Sequence, residues 1–102
     1  MGSMGPYKDE LARWLQSFGA NVRQLRLGQD PPLSQERLAS AVGLHRNEIG
    51  KIEQGAIEPR LTTLVILAEG LNVSLDELVT GLSAPVERRP TSIDPSQLVP
   101  PK

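Results

Sequence analysis

Apolar residues recur at steps of three and four along the chain as far as about residue 82, the spacing of one helical face. The first such stripe follows Gly5-Pro6 and consists of Leu11, Trp14, Leu15, Phe18, Val22 and Leu25. Because Gly19 lies inside this stripe, the pattern allows either one long helix or two. Asp30-Pro31-Pro32 ends it, since a residue before proline avoids helical dihedral angles and neither proline extends a helix.

Two later helix starts carry capping residues. Ser34 can cap a helix, and Leu33 before it is placed to pack on Leu38. Ser74 and Glu77 have the spacing of a capping box. Another apolar stripe lies between these two helices, after Glu58-Pro59, and consists of Leu61, Leu64, Val65, Ala68 and Leu71.

A tight turn, Val42-Gly43-Leu44, is predicted between the helix that follows Ser34 and the next one. That next helix starts at His45, a poor capping residue, and ends after Glu53 at Gln54-Gly55. Two short helices joined in this way form a helix-turn-helix, whose second helix suits the major groove of DNA. The chain is therefore predicted to be an all-α, compact domain of five helices.

The second helix of this motif has two unlike faces. Ile49 and Ile52 point with Leu44 toward the core. The opposite face carries Arg46, Asn47, Gly50, Lys51 and Gln54. In the major groove, arginine bonds bidentately to guanine and asparagine to adenine. Most polar stripes are only solvated helix faces, but the surrounding motif favours DNA reading here.

Three other candidate contacts each have a plainer interpretation. A glycine inside a helix lowers the stability of that helix by about 1 kcal/mol relative to alanine. Gly50 is interpreted as letting the helix backbone approach a base edge or phosphate, or else as a tolerated surface glycine. Gln35 lies in a helix's first turn, whose free amides suit a phosphate, or else is simply solvated. Arg60 follows the loop that ends at Glu58-Pro59, and it is interpreted either as a phosphate contact or as a merely exposed residue.

Two charged residues lie at core-facing ends of apolar stripes. Arg26 and Glu53 are expected to form an internal ion pair, because a buried charge needs a partner. His45 is the only histidine and the chain has no cysteine, so we expect it to begin a helix rather than bind a metal. No nucleophile–base pair is visible, and we expect no cofactor, no small-molecule ligand and no enzymatic activity.

The formal net charge of −1 argues mildly against nucleic acid. DNA binding must therefore rest on a local basic patch made of Arg37, Arg46, Lys51 and Arg60, with modest affinity and strong salt sensitivity. The absence of cysteine fits a reducing cytoplasm. Neither a membrane-spanning apolar run nor a secretory signal is visible, so a cytoplasmic location without membrane contact is expected.

Composition divides the chain into three parts. Met1-Gly2-Ser3 ahead of Met4 resembles a leader left by cloning, and residues 1–5 are expected to be disordered. Residues 6–82 are expected to form the domain. From Ser83 onward, prolines punctuate a segment with few apolar residues, which cannot bury enough surface to offset its ordering entropy. Residues 83–102 are therefore predicted to be a disordered tail.

The residues from about Phe18 to Leu82 resemble the XRE-like, lambda-repressor/Cro-type helix-turn-helix family of bacterial and phage regulators. The resemblance rests on Phe18-Gly19, Val22 to Arg26, Leu33 to Ala39, Val42-Gly43-Leu44, Ile49, Lys51 to Gly55, Pro59, Leu64, Leu67-Ala68 and Leu71-Asn72-Val73. It implies a lambda-repressor-like fold and again an Arg26–Glu53 pair. The DNA contacts that it implies are Gln35 at a phosphate, and Arg46, Asn47 and Lys51 at bases or phosphates.

Three positions depart from the pattern of the family it resembles. Asp30-Pro31-Pro32 lengthens the loop before the second helix, His45 replaces the usual small hydroxyl cap, and Gly50 replaces a side chain that often reads DNA. The last two departures concern which residues contact bases rather than the fold.

The predicted function is transcriptional regulation by sequence-specific binding to double-stranded DNA, with the helix near residues 46–54 in the major groove. A homodimer on a two-fold operator is expected. The apolar contact between its copies is predicted to come from Trp14, Leu15 and Phe18, or from Leu78, Val79 and Leu82. The alternative is a helix-turn-helix-derived module that binds another regulator or a toxin. Binding to random duplex DNA at low salt distinguishes the two.

Truncation after Ala84 tests the predicted boundary of the domain. The melting temperature should stay nearly unchanged, because the removed segment has little apolar surface to bury. A clear loss of stability, or hydrogen-exchange protection within residues 90–101 of the full chain, would contradict this boundary.

Overall fold

The computed structural model describes residues 5–82 of the 102, with side chains from residue 8 onward. This part of the chain forms five helices and no strand: α1 Gly5–Leu27, α2 Gln35–Val42, α3 Arg46–Glu53, α4 Leu61–Leu71 and α5 Leu75–Leu78. The predicted all-α, five-helix fold is confirmed. Helix α1 begins at Gly5, one residue before the predicted boundary. The predictions for residues 1–4 and for the tail, residues 83–102, lie outside the described residues.

Helix α1 continues unbroken through Gly19, which decides between the two possibilities left by the sequence. Gly19 is buried where α1 crosses the C-terminal end of α3. A β-carbon at this position would lie 2.5 Å from the carbonyl oxygen of Glu53, which is closer than such atoms approach. The glycine is therefore present because two helix backbones meet there, and not because the helix ends.

The turn between α2 and α3 follows from local signals. The Ser34 hydroxyl accepts a hydrogen bond from the Arg37 backbone N–H at 3.0 Å, so α2 has the predicted cap. Gly43 ends α2 with φ 75°, a left-handed conformation that glycine adopts without a steric penalty. The Leu44 N–H then donates to the Ala39 carbonyl at 2.9 Å. His45 makes no side-chain capping bond at the start of α3.

Each of the five helices packs one face against a single core and leaves its other face exposed. Its most deeply buried side chains are Val22, Leu38, Ile49, Ile52, Leu67, Leu71 and Leu78. The predicted capping box of α5 is confirmed, because the Ser74 hydroxyl accepts from the Glu77 N–H and the Glu77 carboxylate accepts from the Ser74 N–H. Phe18, at 3% exposure, also belongs to this core.

An apolar groove lies beside the core, with a volume of about 160 Å³. We use this name for the depression whose lining includes Leu11, Trp14, Leu15, Leu64, Val79 and Leu82. Phe18 also lines the groove but is only 3% exposed, and Leu78 is fully buried, so the half-exposed side chains supply most of the open surface. The two apolar patches predicted from the sequence thus meet at a single groove, formed by α1, the loop before α4, α4 itself and the residues that follow α5.

The expected ion pair between Arg26 and Glu53 is present and buried, with side-chain exposures of 8% and 4%. Arg26 donates from Nε to Glu53 Oε2 at 2.6 Å and from Nη2 to Oε1 at 2.9 Å. Its Nη1 donates to the Leu33 carbonyl at 2.8 Å. The hydrogen bond to Glu53 raises the pKa of Arg26 above its ordinary value, against the lowering effect of burial. The pair thus joins α1, the loop before α2, and α3.

Glu53→Gln tests how much this ion pair contributes to the free energy of unfolding. It should destabilise the fold by about 3–5 kcal/mol, because it leaves the buried charge of Arg26 without a counter-charge. The measurement is urea or thermal unfolding followed by circular dichroism. Glu69→Gln, which changes an exposed carboxylate on α4, is the matched control and should have little effect. A melting temperature for Glu53→Gln within a degree or so of wild type would refute the buried-pair interpretation.

Candidate nucleic-acid interface

Helix α3 presents the two faces that its sequence predicts. Ile49 and Ile52 are 0% and 1% exposed and fix one side of the helix in the core. The other side leaves Arg46, Asn47, Lys51 and Gln54 exposed. Since this face is polar while the buried face holds the helix in place, its side chains are displayed on a rigid element.

The exposed face of α3 and the start of α2 enclose a shallow concavity of about 270 Å³. We call it the reading surface; it is lined by Gln35, Arg46, Asn47, Gly50, Lys51 and Gln54. Every site residue predicted from the sequence therefore lies here except Arg60. The sequence predicts that Gln54 shares this face but does not single it out as a contact.

The reading surface is locally basic in a chain whose formal net charge is −1. Arg46 and Lys51 contribute two cations, and none of the six lining residues is acidic. The carboxylate of Glu53 lies behind the surface and is paired with Arg26. An anion approaching the concavity thus meets positive charge and amide groups. Of the four basic residues predicted to form the local patch, Arg46 and Lys51 line this concavity, whereas Arg37 and Arg60 do not.

Gln35 is the first residue of α2 and is half-buried. Its Nε2 donates to Glu53 Oε1 at 3.0 Å, so its amide contacts the buried ion pair. The sequence offered phosphate binding or solvation for this residue and did not reveal the contact. No local signal could have done so, because the contact joins the beginning of one helix to the end of another.

Two arginines occupy helix starts, where they do not help the helices. Arg46 is the first residue of α3, and Arg60 is the N-cap of α4 without a side-chain capping bond. A cation near the positive N-terminal end of a helix is electrostatically unfavourable. Arg60 is exposed and lies outside the lining of the reading surface. Helix stability therefore does not explain why arginine occupies either position.

Gly50 has no packing role that the described residues reveal. A β-carbon added there would meet only Gln35 Oε1, at 3.8 Å, which is an ordinary van der Waals distance. An alanine fits, so close packing does not explain a residue that weakens the helix. The absence of a side chain instead leaves the backbone of α3 open at the centre of the reading surface.

Among residues 5–82, no group of three or more His, Cys, Asp or Glu side chains is arranged to hold a metal ion. None of the five helices is both long and apolar enough to cross a membrane.

Comparisons with known proteins all point to the same family. A family model described as helix-turn-helix matches residues 22–78. The chain is 50% identical over 60 residues to control protein C.SmaI of Serratia marcescens, covering 59% of this chain and 69% of that protein. It is 35% identical over 82 residues to the SPbeta prophage-derived HTH-type transcriptional regulator YonR of Bacillus subtilis, covering 80% of this chain and 74% of that one.

A solved structure agrees with these matches. The crystal structure of the restriction-modification controller protein C.AhdI from Aeromonas hydrophila superposes with a TM-score of 0.61 at 36% sequence identity. The similarity covers 66% of this chain and 94% of C.AhdI. It thus includes most of the described residues.

Gly50→Ala separates the two interpretations of this glycine. The free energy of unfolding should rise by up to about 1 kcal/mol, because alanine favours the helix. Affinity for a selected DNA duplex should nevertheless fall by roughly tenfold, about 1.4 kcal/mol, if the backbone approaches the DNA closely. Ser17→Ala, at an exposed position of α1, is the control and should leave affinity unchanged. Unchanged affinity in Gly50→Ala would identify Gly50 as an ordinary surface glycine.

Proposed function

Because this chain belongs to the helix-turn-helix family and is a DNA-binding transcriptional regulator, we propose that α3 enters the major groove and that the reading surface recognises sequence. One observation carries the proposal. The concavity gathers amide, guanidinium and ammonium groups from α3 and the start of α2, and none of its lining residues is acidic. Ile49 and Ile52 anchor the opposite face of α3 in the core. That combination suits base edges and phosphates.

The chemistry of each side chain suggests its role. Arg46 has the fork of donors that pairs with guanine O6 and N7, and Asn47 has the donor and acceptor that pair with adenine. Lys51 and Arg60 offer charge to phosphates. Gln35 contacts the DNA backbone where α2 begins, and Gly50 lets the backbone of α3 come close.

The unfavourable positions of Arg46 and Arg60 support these roles. Each arginine stands at the positive end of a helix, where a neutral or acidic residue would stabilise the fold better. A bound guanine or phosphate supplies an acceptor in place of the water that hydrates such an exposed guanidinium in the free protein. The stability cost of each position is then offset by its contribution to binding.

We propose that the chain acts as a homodimer in the cytoplasm. Helix α3 has eight residues and is about 12 Å long, so one copy covers only a few base pairs. A second copy doubles the recognised sequence and gives the regulator usable specificity. The apolar groove is the surface that we propose for the two-fold contact, since its lining remains half-exposed in the single chain.

The first test replaces residues of the reading surface. After selection of a site from random duplexes, Arg46→Ala and Asn47→Ala should each weaken specific binding by about 1–3 kcal/mol. Asn47→Ala should leave the melting temperature nearly unchanged, since this side chain is exposed. Arg46→Ala should leave it unchanged or raise it slightly, because it removes a cation from the start of α3. Arg13→Ala removes an exposed arginine from α1 and is the matched control for charge. Equal affinity of wild type and both variants would refute the assignment.

The second test concerns assembly. Footprinting should show two half-sites separated by about one helical turn, roughly 34 Å. If Lys51 and Arg60 of each copy neutralise phosphates, the log–log salt slope of the dimer should be about −4. Sedimentation with and without the duplex gives the stoichiometry. One protein per duplex at saturation, without symmetric half-sites, would exclude the dimer and leave the reading surface intact.

A further inference from the structure

We propose that Glu53 is a positioning residue for DNA binding, which holds the Gln35 side chain in one orientation on the reading surface. The Arg26–Glu53 pair would then have a second task besides stabilising the fold. This inference rests on the proposed function, because it assigns Gln35 a contact with DNA.

The contacts form a continuous chain from the core to the surface. Glu53 Oε2 accepts from Arg26 Nε, while Oε1 accepts from both Arg26 Nη2, at 2.9 Å, and Gln35 Nε2, at 3.0 Å. Arg26 is itself fixed by its bond to the Leu33 carbonyl, two residues before Gln35. The guanidinium thus holds both the carboxylate and the backbone that leads into α2.

Burial makes the bond to Gln35 stronger than an ordinary surface contact. The Glu53 side chain is only 4% exposed, so water competes little for its oxygens. Its charge also strengthens the hydrogen bonds that it accepts. A glutamine on a helix surface usually samples many rotamers and loses that freedom when it binds. Here the freedom is lost on folding, before any ligand arrives, which lowers the entropic cost of a DNA contact.

The bond also fixes which end of the amide faces outward. An ionised carboxylate only accepts hydrogen bonds, so the NH₂ group of Gln35 must face Glu53. Its carbonyl oxygen lies on the Gly50 side, 3.8 Å from the point where a β-carbon of that residue would sit. Gln35 therefore offers the reading surface an acceptor of fixed position and the second N–H of the same group.

The first experiment measures side-chain mobility in the free protein. For Gln35, the order parameter of the ¹⁵N-labelled NH₂ group should be about 0.85, the value of rigid backbone. The order parameters of Gln54 and Gln24, which are exposed glutamines, should be well below that value. An order parameter for Gln35 as low as that of Gln54 would overturn the proposal. This measurement needs no variant, so it decides even if Glu53→Gln does not fold.

The second experiment is a double-mutant cycle read out as DNA affinity, at a temperature where circular dichroism shows every variant folded. Gln35→Ala should weaken binding by about tenfold in the wild-type background and by less than about twofold beside Glu53→Gln. Equal factors in both backgrounds, or a Gln35→Ala that changes stability but not affinity, would overturn the positioning role.

Lys51→Ala is the control for this cycle, because no described hydrogen bond joins Lys51 to Glu53. It should weaken binding by the same factor in both backgrounds. If Lys51→Ala and Arg46→Ala are both without effect on binding, the proposed reading surface itself is wrong. That outcome is distinguishable from a failure confined to Gln35.

Discussion

The structure depends on a buried ion pair between the ends of two helices. Arg26 lies in the last turn of α1, where a cation is favourable, whereas Glu53 is the last residue of α3, where an acid is not. The guanidinium compensates Glu53 and makes a third bond to the loop before α2. Since both charges are buried, the arrangement tolerates little rotation of α3, and this rotation decides which of its side chains face outward.

Backbone contact completes what the ion pair begins. At Gly19, α1 approaches the C-terminal carbonyls of α3 more closely than any side chain would permit. Ile49 and Ile52 anchor the buried face of α3 in the core. With its buried face and its C-terminal end held in this way, α3 displays Arg46, Asn47 and Lys51 on a packed helix rather than on a loop. The basic character of the reading surface is therefore a consequence of packing as much as of composition.

The sequence predicted features whose causes are local. Ser34 and Ser74 mark the starts of helices, because each caps its helix by a hydrogen bond to a residue three positions later. The two faces of α3 follow from helical periodicity. Features that depend on contacts between distant parts of the chain are harder to predict. The sequence leaves the continuity of α1 through Gly19 open, because the reason for this glycine is the neighbouring α3 backbone. It does not predict the Gln35–Glu53 bond, since only the placement of α2 beside α3 creates that bond. Periodicity places Phe18 in one stripe with Trp14, although the fold buries Phe18 far more deeply.

The central claim is that the reading surface contacts DNA. Its most direct test is a titration of the ¹⁵N-labelled protein with the selected duplex, monitored through the amide chemical shifts. If the reading surface contacts DNA, the largest changes should occur along α3 and in the side-chain NH₂ groups of Gln35 and Asn47. The amides of α1 around Arg13 should change little. Large changes confined to the apolar groove or to α5, with α3 unaffected, would contradict the account.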